Sequence, residues 1–308
     1  MNKKNILAIT ILAILILVFF LSKGKENVEK RSGIFNFKTT DITKIEIIQP
    51  PYDTLTVAME DKIWTIIHPR RLPAKESQIQ RFFDEFLTIT TSQNSISDSP
   101  ERQEFYQVSD STGVKITVFG KKGKKLRTVF FGRNFQNQQY AYIRAEKDNN
   151  IYQIDNVFHI INPSLQNWRE DRIVTFTADQ IVKIQTDRYE LSQETGMWMV
   201  SNPQIGTMDI VSPTSSEFTR IMNGITGLRT STFFDDVYDT YAEKLTTPTM
   251  QMMITLNNGE NVYLKLAQND ANSYILQLNE QHETLYRLTN AQFGNLNIDP
   301  SQLVDTGI

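Results

Sequence analysis

Two stretches decide the fold of this chain, Trp64-Thr65-Ile66-Ile67-His68-Pro69 and Trp198-Met199-Val200-Ser201-Asn202-Pro203. They share the pattern Trp-x-Ile/Val-x-x-Pro at identical spacing. The apolar pattern Ile42–Ile45 precedes the first stretch and recurs 139 residues later as Ile181–Ile184. Recurrence at a fixed separation is typical of an internal repeat. We therefore predict that one structural unit is used twice.

A helix is predicted after the tryptophan stretch in each half. Its apolar residues fall at i, i+3, i+4 and i+7, which places them in one stripe along a helix. In the first half this stripe is Ile79, Phe82, Phe83, Phe86 and Leu87. In the second half it is Phe218, Ile221, Met222 and Ile225, each 139 residues after its counterpart. Capping-box spacings predict the helix starts, from Ser77 to Gln80 and from Thr214 to Glu217.

Alternating strands joined by tight turns are predicted after each helix. The Asn257-Asn258-Gly259 turn is typical of a hairpin, and Gly120–Gly123 takes its place in the first half. The predicted pairs are Val114–Val118 with Leu126–Phe131, Tyr140–Arg144 with Ile151–Ile154, Met252–Leu256 with Val262–Leu266, and Ser273–Leu278 with Leu285–Leu288.

The predicted fold class is α+β, with each unit an antiparallel sheet packed on one main helix in the order ββαββββ. The helix stripe needs a face to bury against, and the one-sided alternation of the strands provides it. We predict a first unit over residues 37–172 and a second over residues 173–308, joined at Trp168-Arg169-Glu170-Asp171-Arg172.

Residues 1–22 are predicted to be a membrane anchor. Ile6–Leu21 is an uncharged stretch that spans roughly 24 Å as a helix. No small-residue cleavage site follows it, which favours an uncleaved anchor over a signal peptide. Residues 23–36 form a polar tether. We predict that the anchor lies in the inner membrane with the body outside the cytoplasm, because a short basic start before an apolar stretch resembles an export signal. The count of positive charges on the two sides of the anchor slightly favours a cytoplasmic body instead.

With these parts in order, the chain resembles the DUF4340 family of bacterial membrane-anchored proteins, from Phe37 to the C-terminus. The resemblance rests on the strand end Trp64–Pro69, the helix at Phe82-Phe83, the hairpin of Tyr140-Ala141-Tyr142 and Ile151-Tyr152, and the Trp168–Arg172 segment. The family form of that segment is closer to Trp-Arg-Asp-Arg, so Glu170 is an extra residue here. The resemblance implies an ABC permease and ATPase of the gliding-motility type as partners, and it brings no catalytic residues.

Composition excludes several kinds of function. The formal net charge of the 308 residues is −3, whereas nucleic-acid binders present a basic excess, so no nucleic-acid partner is expected. The absence of cysteine excludes disulfides, thiolate zinc sites and cysteine nucleophiles. The sequence also has neither a phosphate-binding Gly-rich loop nor a Gly-x-Ser-x-Gly elbow.

The three histidines, His68, His159 and His282, do not have the spacing of a metal site. Asn202 takes the place of His68 in the second half, although a required ligand would be kept. We interpret the histidines as structural or surface residues.

Asp235, Asp236 and Asp239 are the densest carboxylate cluster and the candidate for acid–base chemistry. They lie in a polar connection beside Phe233-Phe234. A solvated loop held by aromatic side chains is the favoured interpretation.

Two further patterns carry weaker hypotheses. Lys121-Lys122-Gly123-Lys124-Lys125, followed by Arg127, could touch anionic lipid, but its place at a hairpin tip favours a charged turn. Tyrosines on the closing hairpins could stack on sugars or contact a partner if exposed, although their repetition favours the core. They are Tyr140, Tyr142, Tyr152, Tyr274 and Tyr286.

We therefore expect a non-enzymatic extracytoplasmic scaffold or accessory subunit of a membrane complex, linked to an ABC-type transporter. No catalytic, cofactor-binding or metal-binding residues are predicted, and residues 6–22 are expected to contact membrane lipid. The alternatives are an envelope glycan- or peptide-binding module and a hydrolase that uses Asp235, Asp236 or Asp239.

Overall fold

The computed structural model describes residues 32–51, 53–201, 208–212 and 215–303. The chain divides between Arg169 and Glu170 into two compact units, called unit 1 and unit 2 below. The predicted anchor over residues 1–22 and residues 23–31 of the tether lie outside the described residues. The tether prediction is wrong for residues 32–36, which belong to unit 1. Ser32–Gly33 pairs with Thr90–Thr91, and Phe35 is buried in the core with its ring 4.7 Å from Phe86. Among the residues that are described, no helix is long and apolar enough to cross a membrane.

Unit 1 is built around one eight-stranded antiparallel sheet in the order β10-β9-β8-β7-β2-β3-β4-β5, and β1 pairs separately with β6. The strands are β1 (Ser32–Gly33), β2 (Ile42–Gln49), β3 (Asp53–Glu60), β4 (Ile63–His68), β5 (Leu72–Pro73), β6 (Thr90–Thr91), β7 (Val114–Gly120), β8 (Lys125–Arg133), β9 (Tyr140–Ala145) and β10 (Ile151–Asp155). The helices are α1 (Glu76–Arg81), which continues as a π-helix over Phe82–Phe86, α2 (Phe158–Ile161) and α3 (Leu165–Trp168).

Unit 2 contains a nine-stranded antiparallel sheet in the order β14-β13-β12-β11-β16-β17-β18-β19-β15. Its strands are β11 (Ile181–Thr186), β12 (Glu190–Glu194), β13 (Met197–Ser201), β14 (Met208–Val211), β15 (Phe233–Asp235), β16 (Met250–Leu256), β17 (Asn261–Asp270), β18 (Ser273–Leu278) and β19 (Thr284–Thr289). Its helices are α4 (Ser216–Thr226), α5 (Tyr238–Thr246) and α6 (Asn290–Leu296). Short 3₁₀ turns over both units lie at Thr39–Asp41, Pro100–Arg102, Lys121–Gly123, Ala178–Gln180 and Pro300–Gln302.

The two sheets repeat one another strand for strand. Eight strands follow the same order in both units, and β15 adds a ninth strand beside β19 in unit 2. A register shift between Ile42 and Lys44 in the β2–β7 pair recurs between Ile181 and Lys183 in the β11–β16 pair. The predicted α+β fold with two antiparallel sheets and few helices is confirmed, and so are the four predicted hairpins.

Each tryptophan of the repeated stretch connects the sheet to the main helix. Trp64 and Trp198 are buried, and their rings lie 5.6 Å from Phe83 and 5.2 Å from Phe218, respectively. The main helices belong to the same cores as the inner strand faces. Short helices that the sequence pattern does not predict also contribute buried side chains: Phe158, Ile160, Ile161 and Trp168 in unit 1, and Phe293 and Leu296 in unit 2.

Three local predictions need correction. The Trp64–Pro69 stretch was expected as a strand end before the helix, but β4 is a strand of its own, so three long strands precede α1. The capping box from Ser77 to Gln80 is wrong, because the residue that precedes α1 is Lys75, two residues before the predicted cap. In unit 2 the hydroxyl of Ser215 accepts from the backbone N–H of Phe218 and caps α4, whereas Thr214 lies outside the described residues.

The join predicted at Trp168–Arg172 divides between the two units. Trp168 is fully buried in unit 1, where its indole N–H donates to the Asn162 carbonyl at 2.8 Å. On the unit 2 side, Asp171 accepts a hydrogen bond from Arg229, and Glu170 pairs with Arg172. The first residue of this segment, Trp168, therefore belongs to the core of unit 1, whereas its last residues make contacts within unit 2.

Candidate functional site

The outer sheet face of unit 1, opposite its main helix, is closed by the segment 97–113. Arg144 of β9 is only 5% exposed, and its Nε donates to the Val108 carbonyl at 2.8 Å. The guanidinium also lies 4.4 Å from the centre of the Phe130 ring. This buried arginine helps to hold the covering segment, because releasing the segment would take the Val108 carbonyl away from a desolvated charge.

The segment 97–113, called the cover of unit 1 below, lies very close to the backbone of β8. A Cβ atom on Gly132 would lie 1.9 Å from the carbonyl oxygen of Tyr106, so only glycine fits here. The Tyr106 ring in turn meets Tyr142 at 4.8 Å, in a small buried cluster with Val108 and Phe130. This part of the outer face is therefore sealed.

Unit 2 covers the equivalent face with helix α5, but less completely. Leu245 of α5 is buried against Ala267 and Ile275. Ala267 of β17 is paired with Ile275 of β18, and this cross-strand pair is equivalent to the pair of Gly132 and Tyr142 in unit 1. The next pair, Lys265 and Gln277, takes the place of Phe130 and Arg144. Gln277 is as buried as Arg144, but 29% of the Lys265 side chain is exposed, whereas Phe130 is only 2% exposed. The outer face of unit 2 is therefore more open at Lys265.

A groove opens on unit 2 where the cover ends. Two cross-strand rows line it, Gln185–Met253–Tyr263 and Gln251–Lys265–Gln277. We call these six residues the amide groove. Its cavity has a volume of about 420 Å³, within the range of small-molecule sites.

The backbone of the amide groove is fixed by a tight turn. Asn279, at φ 48°, lies in the β18–β19 turn, and its side-chain oxygen accepts from the backbone N–H of Tyr263 at 2.8 Å. The backbone N–H of Asn279 donates back to the Tyr263 carbonyl at 2.8 Å. Tyr263 is nevertheless 47% exposed at its side chain. An aromatic side chain on such a fixed backbone loses little freedom when a ligand binds.

A second groove lies in unit 1 and is aromatic in character. Pro50, Pro51, Arg133, Phe135 and Phe158 line it, and we call them the aromatic groove. The Arg133 guanidinium lies 4.1 Å from the centre of the Phe158 ring. Phe135 is 71% exposed.

The turn that carries Phe135 is ordered. The Asn134 side-chain oxygen accepts from the backbone N–H groups of Gln136 and Asn137 at 3.1 and 3.0 Å. The backbone that carries the exposed Phe135 is thus fixed, and Arg133 lines the same groove. Aromatic and arginine side chains are both enriched at protein interfaces.

A third cavity of about 740 Å³ in unit 1 is acidic, lined by Asp84, Glu85, Asp155, Tyr140 and His159 among others. His159 Nε2 lies 3.1 Å from Glu85, and Arg81 donates to Glu85 at 2.9 Å. The Arg81 hydrogen bond holds the pKa of Glu85 below its usual range against the opposing effect of burial, and His159 lowers the pKa further. These exposed pairs form a surface network.

The predicted histidines lie in three separate places. His68 is exposed at the end of β4, His159 pairs with Glu85, and His282 stacks on Tyr238 with ring centres 3.7 Å apart. Within the described ranges, no group of three or more His, Asp or Glu side chains is placed to hold a metal ion.

The aspartates do not lie in one polar loop, as the sequence suggested. Asp235 ends strand β15 and accepts a hydrogen bond from the Thr284 hydroxyl at 2.7 Å. The backbone N–H of Asp236 donates to the Glu283 carbonyl at 3.1 Å, and Asp239 lies in the first turn of α5. Asp235 and Asp236 therefore help attach the edge strand.

The basic patch lies at the β7–β8 hairpin tip, as predicted, with Lys121, Lys122, Lys124 and Arg127 exposed and Lys125 paired with Glu146 at 3.1 Å. Of the predicted tyrosines, Tyr152, Tyr274 and Tyr286 pack against the cores. Tyr142 lies beneath the unit 1 cover and Tyr140 lines the acidic cavity.

Sequence reasoning missed both grooves. Tyr263 gave no signal because it occupies an ordinary polar position of an alternating strand. Phe135 stands alone in a polar loop, and only its 71% exposure distinguishes it from a core residue.

Comparison with known proteins gives one match. No curated protein and no solved structure matches the chain. The profile of the family described as "Domain of unknown function (DUF4340)" matches residues 64–248, from the first tryptophan stretch to just before β16. This range covers both tryptophan strands, both main helices and the join between the units. Because it includes more than half of the chain, this protein belongs to the DUF4340 family.

Proposed function

We propose that this protein is a non-enzymatic scaffold or accessory subunit of a membrane complex, with an ABC-type transporter as its partner. In this proposal residues 6–22 form the anchor in the inner membrane, and the two units, each a sheet on its main helix, lie on the extracytoplasmic side. The aromatic groove of unit 1 supplies the contact with a protein subunit.

The observation that carries the proposal is the exposure of Phe135, at 71%, beside Arg133 on a fixed turn. Aromatic and arginine side chains dominate the binding energy of protein interfaces. A preorganised aromatic side chain binds without a large ordering cost. At 71% exposure the Phe135 ring contributes little to the core of unit 1 and is accessible to a partner surface.

The hydrolase alternative has less support. Its candidate Asp235 is engaged by the Thr284 hydroxyl in attaching the edge strand β15. Replacing Asp235, Asp236 and Asp239 together by alanine tests it: an unchanged cellular phenotype with a folded variant would end this idea.

The proposal is tested by a pull-down of the tagged full-length protein from native membranes in mild detergent. We expect a permease and an ATPase to be recovered in stoichiometric amounts. Phe135→Ala should reduce their recovery by about tenfold or more, as expected for a central aromatic contact. Tyr263→Ala, which removes an exposed aromatic ring from unit 2, is the matched control and should leave recovery unchanged. Recovery of the protein alone would refute the proposal.

A further inference from the structure

The amide groove of unit 2 has a large hydrogen-bonding capacity that the protein does not use. No hydrogen bond within the described part of the chain involves the side-chain amides of Gln185 or Gln251. Gln277 also lines the groove but is only 2% exposed, and its amide donates to the Gln281 carbonyl at 3.0 Å. Each carboxamide offers two donors and an acceptor with two lone pairs. A ligand with alternating donors and acceptors would satisfy them.

The groove also has an apolar surface beside these amides. Met253 and Tyr263 are direct cross-strand neighbours on the outer face. Directly paired side chains lie about 5 Å apart at their Cβ atoms, so the thioether and the ring form one patch. Within the described residues the Tyr263 hydroxyl makes no hydrogen bond, and it adds a donor and an acceptor to the groove.

The charges at the groove oppose one another. Lys265 Nζ lies 4.0 Å from Glu280 Oε1, and Asp187 also lines the cavity. An anionic ligand would meet two carboxylates, and a cationic ligand would meet Lys265. The groove therefore fits an uncharged ligand.

We propose that the amide groove binds a neutral saccharide. A pyranose ring presents hydroxyl groups that donate and accept around its edge, and apolar C–H groups on its face. The edge suits the amides of Gln185 and Gln251, and the C–H face suits Tyr263. An extended peptide is disfavoured because peptides pair with the edge of a sheet, whereas this groove lies on the face of central strands.

This proposal is independent of the transporter proposal. The saccharide site belongs to unit 2 and uses Tyr263, whereas the protein-partner surface belongs to unit 1 and uses Phe135. Either can fail without the other. A protein with both would connect a membrane complex to an envelope glycan.

The test is isothermal titration calorimetry of the full-length protein in mild detergent. The probes are neutral tetrasaccharides of glucose, mannose and N-acetylglucosamine, with a polygalacturonate fragment and an uncharged tetrapeptide as comparison ligands. We expect saturable binding of at least one neutral tetrasaccharide. Tyr263→Ala and Gln251→Ala should each weaken it by about tenfold, the loss of one stacking or polar contact. Tyr263→Phe keeps the ring and should stay within about threefold of the natural protein.

Phe135→Ala is the matched control and should bind the saccharide normally. The urea unfolding midpoint of each variant shows that it is folded. Three outcomes would overturn the proposal: no saturable binding of any neutral tetrasaccharide, binding that Tyr263→Ala leaves unchanged, or tighter binding of the tetrapeptide or the anionic fragment.

Discussion

The two units place different residues at equivalent positions of the same outer sheet face. In unit 1, Phe130 and Arg144 stand side by side under the segment 97–113. In unit 2, Lys265 and Gln277 stand there, and Leu245 of helix α5 is buried against the neighbouring pair of Ala267 and Ile275.

The difference shows how a duplicated sheet can keep its fold while its outer face changes. The inner face of each sheet carries the core and tolerates little change, because core substitutions cost stability directly. The outer face is free of that constraint wherever a cover is not needed. One copy has become a closed face, and the other leaves a groove of about 420 Å³.

The largest loss of stability is expected when Arg144 of unit 1 is replaced by glutamine, the residue that unit 2 has at the equivalent position, Gln277. Arg144→Gln removes the donors to the Val108 and Asp148 carbonyls, at 2.8 and 3.2 Å. We expect a loss of about 3 kcal/mol in the free energy of unfolding, since charged hydrogen bonds are worth more than neutral ones. Urea unfolding measures it.

The matched variant is Gln277→Ala, which removes one neutral bond and should cost about 1 kcal/mol. Equal losses in the two variants would show that Arg144 does not hold the cover of unit 1.

A smaller loss of stability is expected from substitutions at Gly132 and at its equivalent in unit 2, Ala267, the positions where the covering segments contact the sheet. Gly132→Ala forces a Cβ atom against the Tyr106 carbonyl and should cost about 2 to 3 kcal/mol through overpacking. Unit 2 has alanine at the equivalent position, so Ala267→Gly should cost only about 1 kcal/mol. Thermal unfolding compares the two. If Gly132→Ala is neutral, the cover of unit 1 is more adaptable than its geometry indicates.

Closing the open face should change binding and not stability. Lys265→Phe introduces the unit 1 residue into unit 2 and fills the amide groove. We expect stability within about 0.5 kcal/mol of the natural protein, because the site is at the surface. Saccharide binding should be lost in calorimetry, whereas Lys265→Gln, which keeps the groove open, should retain it. Full binding by Lys265→Phe would place the ligand elsewhere.

The smallest effect is a pH dependence confined to the closed face. Burial, and to a lesser extent Tyr106, raises the pKa of Tyr142 above its ordinary value. The folded state therefore holds the Tyr142 proton more tightly than the unfolded state does. This contribution to stability is complete below the unfolded tyrosine pKa and is lost as the pH rises through the folded value.

Hydrogen exchange of the segment 97–113 above pH 10 would detect the loosening of the cover. Tyr142→Phe has no proton to lose and should remove the alkaline component. Identical exchange profiles for the two proteins would contradict this assignment.

The sequence by itself determined the repeat, the antiparallel hairpins and the two main helices. Local periodicity carries this information, because alternating residues and residues spaced by three and four share a face whatever surrounds them. The 139-residue spacing from Ile42 to Ile181 is visible in the sequence, whereas the register shift that both sheets share at these residues is seen only in the structure. The aspartates were placed less well, since the pairing of β15 with β19 joins positions about fifty residues apart.

Only the tertiary structure decided which outer face is open. Phe130 and Lys265 occupy equivalent positions, yet nothing in either strand shows that one is sealed by Arg144 and the segment 97–113. Exposure of Tyr263 and Phe135 depends in the same way on segments distant in sequence. The physical reason is that burial is a property of everything packed around a side chain, whereas the alternation of a strand records only which of its two faces that side chain lies on.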